Sequence, residues 1–207
     1  MDCDIADNSS VVQGVISFSE SNSAGGGDGG NSRGFDTPRK IIDNVGNNIQ
    51  TPICSDDWYI TGYYTPWEEE FPNINKSKVI VKGIGERIYS TEFLKEIKIE
   101  GDGKTLGGFY IKPSGNNTYN KLSHSTDYLG KKMSYDPVTV AVDPKIIPFG
   151  SILTIPTLPH PWNQKTFIAT DTGSFKGKHI DVWTGEGEQS KEQTYKITGR
   201  DISVCIH

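Results

Sequence analysis

Three short apolar runs in the last third of the chain each end in, or enclose, an aspartate. Val138–Val142 leads into Asp143–Pro144, and Thr166–Thr170 leads into Asp171–Thr172–Gly173. Asp181 interrupts the run His179-Ile180-Asp181-Val182-Trp183. Runs of this length and composition, bounded by Gly and Pro, read as strands. The fold must therefore hold carboxyl groups against buried strands, which is costly unless each is paired, hydrogen-bonded or protonated. An aspartate at a strand end can serve a turn by bonding its own backbone. Asp181 lies where no turn is needed.

The other runs agree with a mainly β chain. Trp58–Tyr64 reads as a strand closed by Thr65–Pro66. Lys78–Lys82 and Glu86–Tyr89 flank a Gly83-Ile84-Gly85 turn and read as a hairpin. Thr91–Lys98 predicts a helix, with Phe93, Leu94 and Ile97 at helical spacing. Phe109–Lys112, Ser151–Ile155 and Ser203–Ile206 are further short strands, and 113–136 reads as irregular. Short strands at turn-punctuated intervals predict a barrel or sandwich with few short helices. Residues 1–34 read as an extended acidic arm and Gly-rich linker, and 35–57 as a connector in which Pro38–Val45 reads as a short helix. The compact part is expected over 58–207.

Composition excludes several classes. A net charge of -5 and a pI near 5.4 supply no basic face for nucleic acid and no hold on an anionic membrane. No apolar stretch approaches a transmembrane length. The start of the chain, with Asp2, Asp4 and Asp7, lacks the basic beginning of a secretory signal. Cys3, Cys54 and Cys205 are far apart and odd in number, which predicts isolated reduced thiols. His179 and Asp181 could form a metal pair, yet no further ligand is spaced to complete a site, so no metal and no cofactor are expected. Gly101-Asp102-Gly103-Lys104-Thr105 lacks the spacing of a phosphate loop.

The carboxyls remain as the chemistry. An aspartate held among apolar side chains and other carboxylates gains a raised pKa and can donate a proton near neutrality. Glycosidic cleavage needs such an acid at the leaving oxygen and a second group that supports an oxocarbenium-like transition state. Tyr63, Tyr64 and Trp67 fit this reading, because sugar rings bind aromatics through their apolar faces. The bland alternatives are carboxylates that pin barrel loops and aromatics that pack the core.

Val-Ala-Val-Asp-Pro-Lys-Ile-Ile-Pro-Phe-Gly (140–150), followed by Ala-Thr-Asp-Thr-Gly-Ser-Phe-Lys-Gly-Lys-His-Ile-Asp-Val-Trp-Thr-Gly (169–185), resembles the 3D domain, named for three aspartates and shared with MltA-type lytic transglycosylases. Ile-Thr-Gly-Tyr-Tyr-Thr-Pro (60–66) is similar to the segment that opens the MltA-type catalytic region. Glu100–Thr105 is similar to a Gly-x-Thr loop of small 3D proteins. The resemblance covers about 58–207 and implies a double-psi β-barrel. It places the general acid/base on Asp181, a supporting carboxylate on Asp171 and a site-shaping role on Asp143. It implies substrate contacts from Thr61, Tyr63 or Tyr64, Glu100, Thr105, Thr172, Gly173, Lys176 and His179. Ser174–Phe175 departs from the small or apolar residues usual there, and the chain reads as too short for the large second domain of the MltA-type enzymes, which implies a more open groove.

The implied substrate is the glycan strand of peptidoglycan, cut between N-acetylmuramic acid and N-acetylglucosamine to give a 1,6-anhydro end. A glycoside hydrolase using Asp171 and Asp181, or a barrel that binds glycan without cutting it, are the rival readings. An enzyme without an export signal reaches the wall if a bacteriophage tail or baseplate carries it, with the N-terminal arm docked on a virion protein. Release at lysis, as an endolysin, is the alternative.

Overall fold

The computed structural model describes residues 40–42, 48–72 and 74–207. The acidic arm, the Gly-rich linker and Cys3 lie outside these. Lys40–Ile42 (β1) pairs antiparallel with Asn48–Gln50 (β2). The helix expected over Pro38–Val45 is thus corrected where described: 40–42 is strand, in keeping with its two adjacent β-branched residues.

The compact fold then begins at Ile53, five residues before the expected Trp58, with the long strand Ile53–Thr65 (β3). Next come Lys76–Lys82 (β4), Gly85–Ser90 (β5), the helix Thr91–Glu100 (α1), Gly103–Lys104 (β6), Tyr110–Gly115 (β7) and Thr118–Leu122 (β8). The last third supplies Val138–Val142 (β9), Ile152–Thr154 (β10), Thr166–Asp171 (β11), His179–Glu186 (β12), the helix Glu188–Ile197 (α2) and Gly199–Ile206 (β13).

Six strands close a barrel in the order β10-β11-β9-β12-β3-β13, and β10 pairs back onto β13. Two of the contacts are parallel, β11 with β9 and β12 with β3. Trp58, Ile60, Val140, Val142, Phe167, Ile180 and Val182 fill the interior. The period of two puts their neighbours on the outer face. On β12, Ile180 and Val182 point inward and His179 and Asp181 stay outside.

Residues 76–122 do not join this barrel. They form a separate five-stranded sheet, β5-β4-β8-β7-β6, where one barrel over 58–207 was expected. Its core joins Val79, Val81 and Ile111 to Phe93, Leu94 and Ile97 of α1. Strand β8, inside the stretch expected to be irregular, is polar on one face and is fixed by its partners β4 and β7. Helix α2 was not anticipated: its only buried residues are Thr194 and Ile197, too few to print a helical period on the sequence. Instead it packs on β3 through Gly62, where an added Cβ would come within 2.7 Å of the Thr194 Cα.

Cys54 and Cys205 face each other across β3 and β13 and form a disulfide, correcting the expectation of reduced thiols. Their 151-residue separation hid the pair in the sequence. Among the described residues, no helix is long and apolar enough to cross a membrane.

Candidate active site

Asp171 and Asp181 reach the same place from opposite sides. Both register with Ala141, the central strand's small residue: Asp181 through the antiparallel β12/β9 pair and Asp171 through the parallel β11/β9 pair. Strict alternation along β11 would send Asp171 inward with Phe167 and Ala169. A bulge between Ala169 and Asp171 shifts the register by one and turns the aspartate to the outer face. There it lines a cleft of about 280 Å³, with Asp181, Tyr63 and Ala141 from the barrel and Glu100, Asp102 and Lys112 from the sheet lobe.

Each carboxyl has defined partners. The Thr61 hydroxyl donates to Asp181 Oδ1 at 2.7 Å, across the parallel pair that sets Thr61 opposite Asp181. Burial pushes Asp181 up to about 6; the Thr61 bond opposes this and the nearby Asp171 adds to it. Asp171 Oδ2 accepts from the Tyr63 hydroxyl at 2.7 Å, and its Oδ1 accepts from the Thr172 amide at 2.9 Å. Burial raises Asp171 as well, while the Tyr63 and Thr172 donors and the Lys112 ammonium pull it down. Glu100, at the end of α1, accepts from the Tyr64 amide at 3.1 Å and is pushed up to about 7, chiefly by burial. Two carboxyls in the cleft are thus tuned to hold or lose a proton near neutral pH.

Asp143 is buried but not in the cleft. Its two oxygens accept from the Lys145 amide at 3.1 Å and the Gly177 amide at 3.0 Å, which ties the 172–178 loop to the end of β9. These donors hold its carboxyl below the ordinary value. Thr172 and Gly173 of that loop line the cleft. Thr172 also donates to the Val142 carbonyl at 2.8 Å. Lys176 is exposed on the same loop. Thr61 and His179 stand directly behind Asp181, joined at 2.8 Å.

Two expected substrate contacts lie elsewhere. The Tyr64 side chain is buried and its hydroxyl donates to Glu96 at 2.7 Å, so of the two tyrosines Tyr63 faces the cleft. Thr105 donates to the Phe109 carbonyl at 2.8 Å, closing a turn beside Trp67 and Lys104 in a separate depression.

Asp102, which lies in the Glu100–Thr105 segment but was not among the expected site residues, is the carboxyl that was missed. It is buried and accepts from Ser125 Oγ at 2.7 Å and the Thr126 amide at 3.0 Å. The bonds continue: Trp183 Nε1 donates to Thr65 Oγ1 at 3.1 Å, and Thr65 donates to Ser125 at 3.0 Å. This buried chain couples barrel to sheet lobe behind the cleft. Lys112 and the exposed Ile99 of the lobe, and the exposed Tyr128 of the segment that follows it, were also missed, since only the folded chain brings them near the aspartates. A second cavity of about 270 Å³, lined by Tyr135 and Trp183, shares Ser125 and Met133 with the cleft and extends it. Among the described residues, no three His, Cys, Asp or Glu side chains are grouped to hold a metal ion.

Residues 138–200 match the 3D domain family. No curated protein sequence matches the chain. The fold is similar to that of Escherichia coli MltA with bound chitohexaose, at TM-score 0.56 and 14% identity over 72% of this chain and 71% of that one. It is also similar to a membrane-bound lytic murein transglycosylase from Agrobacterium tumefaciens, at TM-score 0.55 and 12% identity over 75% of each chain. The double-psi barrel expected of a 3D protein is thus met by the closed six-stranded barrel and this likeness.

Proposed function

We propose that this chain, which carries the 3D-domain signature on an MltA-like fold, is a lytic transglycosylase of peptidoglycan glycan strands. One observation carries the reading: Asp181, within the matched segment, is a cleft carboxyl pushed up to about 6 beside a second carboxylate. Such an acid is protonated often enough to donate and weak enough as an acid to take the proton back.

In this reading Asp181 protonates the oxygen linking N-acetylmuramic acid C1 to N-acetylglucosamine. The C1–O bond breaks, and the charge developing on the muramic ring is supported by the Asp171 carboxylate, fixed by Tyr63 and Thr172. The Asp181 carboxylate then removes the proton of the C6 hydroxyl as that oxygen bonds to C1. No water is consumed and the acid is restored. The extended cleft, with Tyr128 on its rim and Tyr135 in the adjoining cavity, offers apolar faces to successive sugars.

The wall lies outside the cytosol, and the Cys54–Cys205 disulfide suits an oxidising surrounding. We further propose that a virion tail or baseplate delivers the protein, with the Gly-rich segment 21–34 as tether.

The test is mass spectrometry of purified peptidoglycan treated with the wild type and with Asp181→Asn. Anhydro-muropeptides from the wild type alone are the expected result. Reducing ends would make the protein a hydrolase, and soluble product from neither would make it a glycan-binding barrel. For delivery, immunogold labelling of phage tails is expected to be positive, and labelling confined to lysate supernatant would count against it.

A further inference from the structure

The bond from Thr61 to Asp181 does not stand alone. Thr61 Oγ1 has one hydrogen, and at 2.7 Å it is given to Asp181 Oδ1. The same oxygen lies 2.8 Å from His179 Nε2. With its hydrogen committed, Thr61 can only accept there, so Nε2 must carry the proton and donate. The parallel register of β12 on β3 builds this chain: His179 lies opposite Tyr59, Asp181 opposite Thr61, and both aspartate and histidine stand on the outer face. The imidazole is fixed between two rings, Tyr59 at 4.7 Å and Phe175 at 4.2 Å between centroids. Arg200 lies over the other aromatic, Tyr59, at 4.0 Å. Burial and this guanidinium disfavour the imidazolium and so favour a neutral ring, whose single N–H the Thr61 geometry assigns to Nε2.

A protonated aspartate can carry its hydrogen on either oxygen. If Thr61 were free to turn, Asp181 could place the proton on Oδ1 and donate it to Thr61, away from any substrate. We infer that His179 is a positioning residue which, through the Thr61 hydroxyl, confines the acidic proton of Asp181 to Oδ2. That oxygen accepts no hydrogen bond from the described residues. The inference rests on the reading of Asp181 as the acid. It is distinct from a substrate contact by His179, because the imidazole acts here through two intervening bonds.

The experiment uses the full chain with ¹⁵N-labelled histidine and ¹³C-labelled aspartate. Long-range ¹H–¹⁵N spectra should show the Nε2–H tautomer for His179, assigned by its loss in His179→Gln. In His179→Leu the Asp181 carboxyl should titrate higher than in the wild type, because a protonated form donating to Thr61 becomes available. His179→Gln, whose amide nitrogen can replace Nε2 as donor, should restore the wild-type midpoint. On peptidoglycan, His179→Leu should lower kcat about 3- to 10-fold with KM changed less than about 2-fold, and Gln should recover most of it. An Nδ1–H tautomer, or a Leu variant with the wild-type Asp181 titration, would overturn the inference. So would a Gln variant no better than Leu. A wild type that makes no anhydro product would remove the proposed activity, while the tautomer and the titrations would still decide whether His179 orders the proton on Asp181.

Discussion

Asp171 and Asp181, ten residues apart in the chain, stand on either side of Ala141, each in register with it on a different strand. The short side chain between them leaves the floor of the cleft open. One strand bulge is what brings Asp171 to that face, and the Tyr63 hydroxyl fixes it there.

Tyr63→Phe removes that hydroxyl while keeping the ring. Asp171 then keeps its backbone donors, the Thr172 amide among them, but loses the side-chain donor, and its carboxyl rises further. A less ionised Asp171 supports less positive charge, so kcat on peptidoglycan is expected to fall about 10-fold with stability lowered by about 1 kcal/mol. Steady-state kinetics and urea melts on the same samples check both; unchanged kcat would remove Asp171 from the chemistry.

The cleft costs stability at neutral pH. Asp181 rises from an ordinary 3.8 to about 6 and Glu100 from 4.5 to about 7 on folding. Both are carboxyls with raised values, so the folded state keeps protons that the unfolded chain has lost. Their contribution is full below the unfolded values and is lost as pH rises through the folded ones. Asp181→Asn and Glu100→Gln should therefore melt above the wild type by several degrees at about pH 8, with the difference shrinking towards about pH 4. Differential scanning calorimetry across that range measures it.

The disulfide closes a long loop. Cys54→Ser with Cys205→Ser should lose roughly 2–5 kcal/mol, the range expected when a crosslink between residues so far apart is removed. Denaturant titration with and without reductant checks this: reductant should destabilise the wild type and leave the double variant unmoved.

Gly62→Ala probes the seat of the catalytic strand. Its Cβ would meet the Thr194 Cα at 2.7 Å and the Thr194 Cβ at 2.9 Å, so β3 must move off α2. Overpacking of this kind costs about 1–3 kcal/mol. Because Thr61 and Tyr63 flank the glycine, kcat should fall together with the melting temperature.

Thr105→Val is the contrasting case. It removes one turn bond to Phe109, worth about 1 kcal/mol, outside the cleft. Wild-type KM and kcat are expected; a raised KM would bring the Trp67–Lys104 depression into the glycan site.

Much of the site was legible because it is local. The apolar run around Asp181 marked it as a carboxyl on a strand with no turn to serve, and the apolar runs before Asp143 and Asp171 marked where strands end. The hairpin of β4 and β5 and the helix α1 were written in glycines and in the spacing of Phe93, Leu94 and Ile97. Long-range pairing decided the rest. Whether Cys54 meets Cys205 depends on the register of β13 on β3. Whether Asp171 turns outward depends on a bulge defined against β9. The sheet lobe, with Asp102 and Lys112, joins the cleft only because β4 to β8 fold back over the barrel face. Periodicity records which side of a strand a residue takes, whereas the partner on that side is chosen by hydrogen-bond register between distant segments, and this chain's chemistry sits where those registers meet.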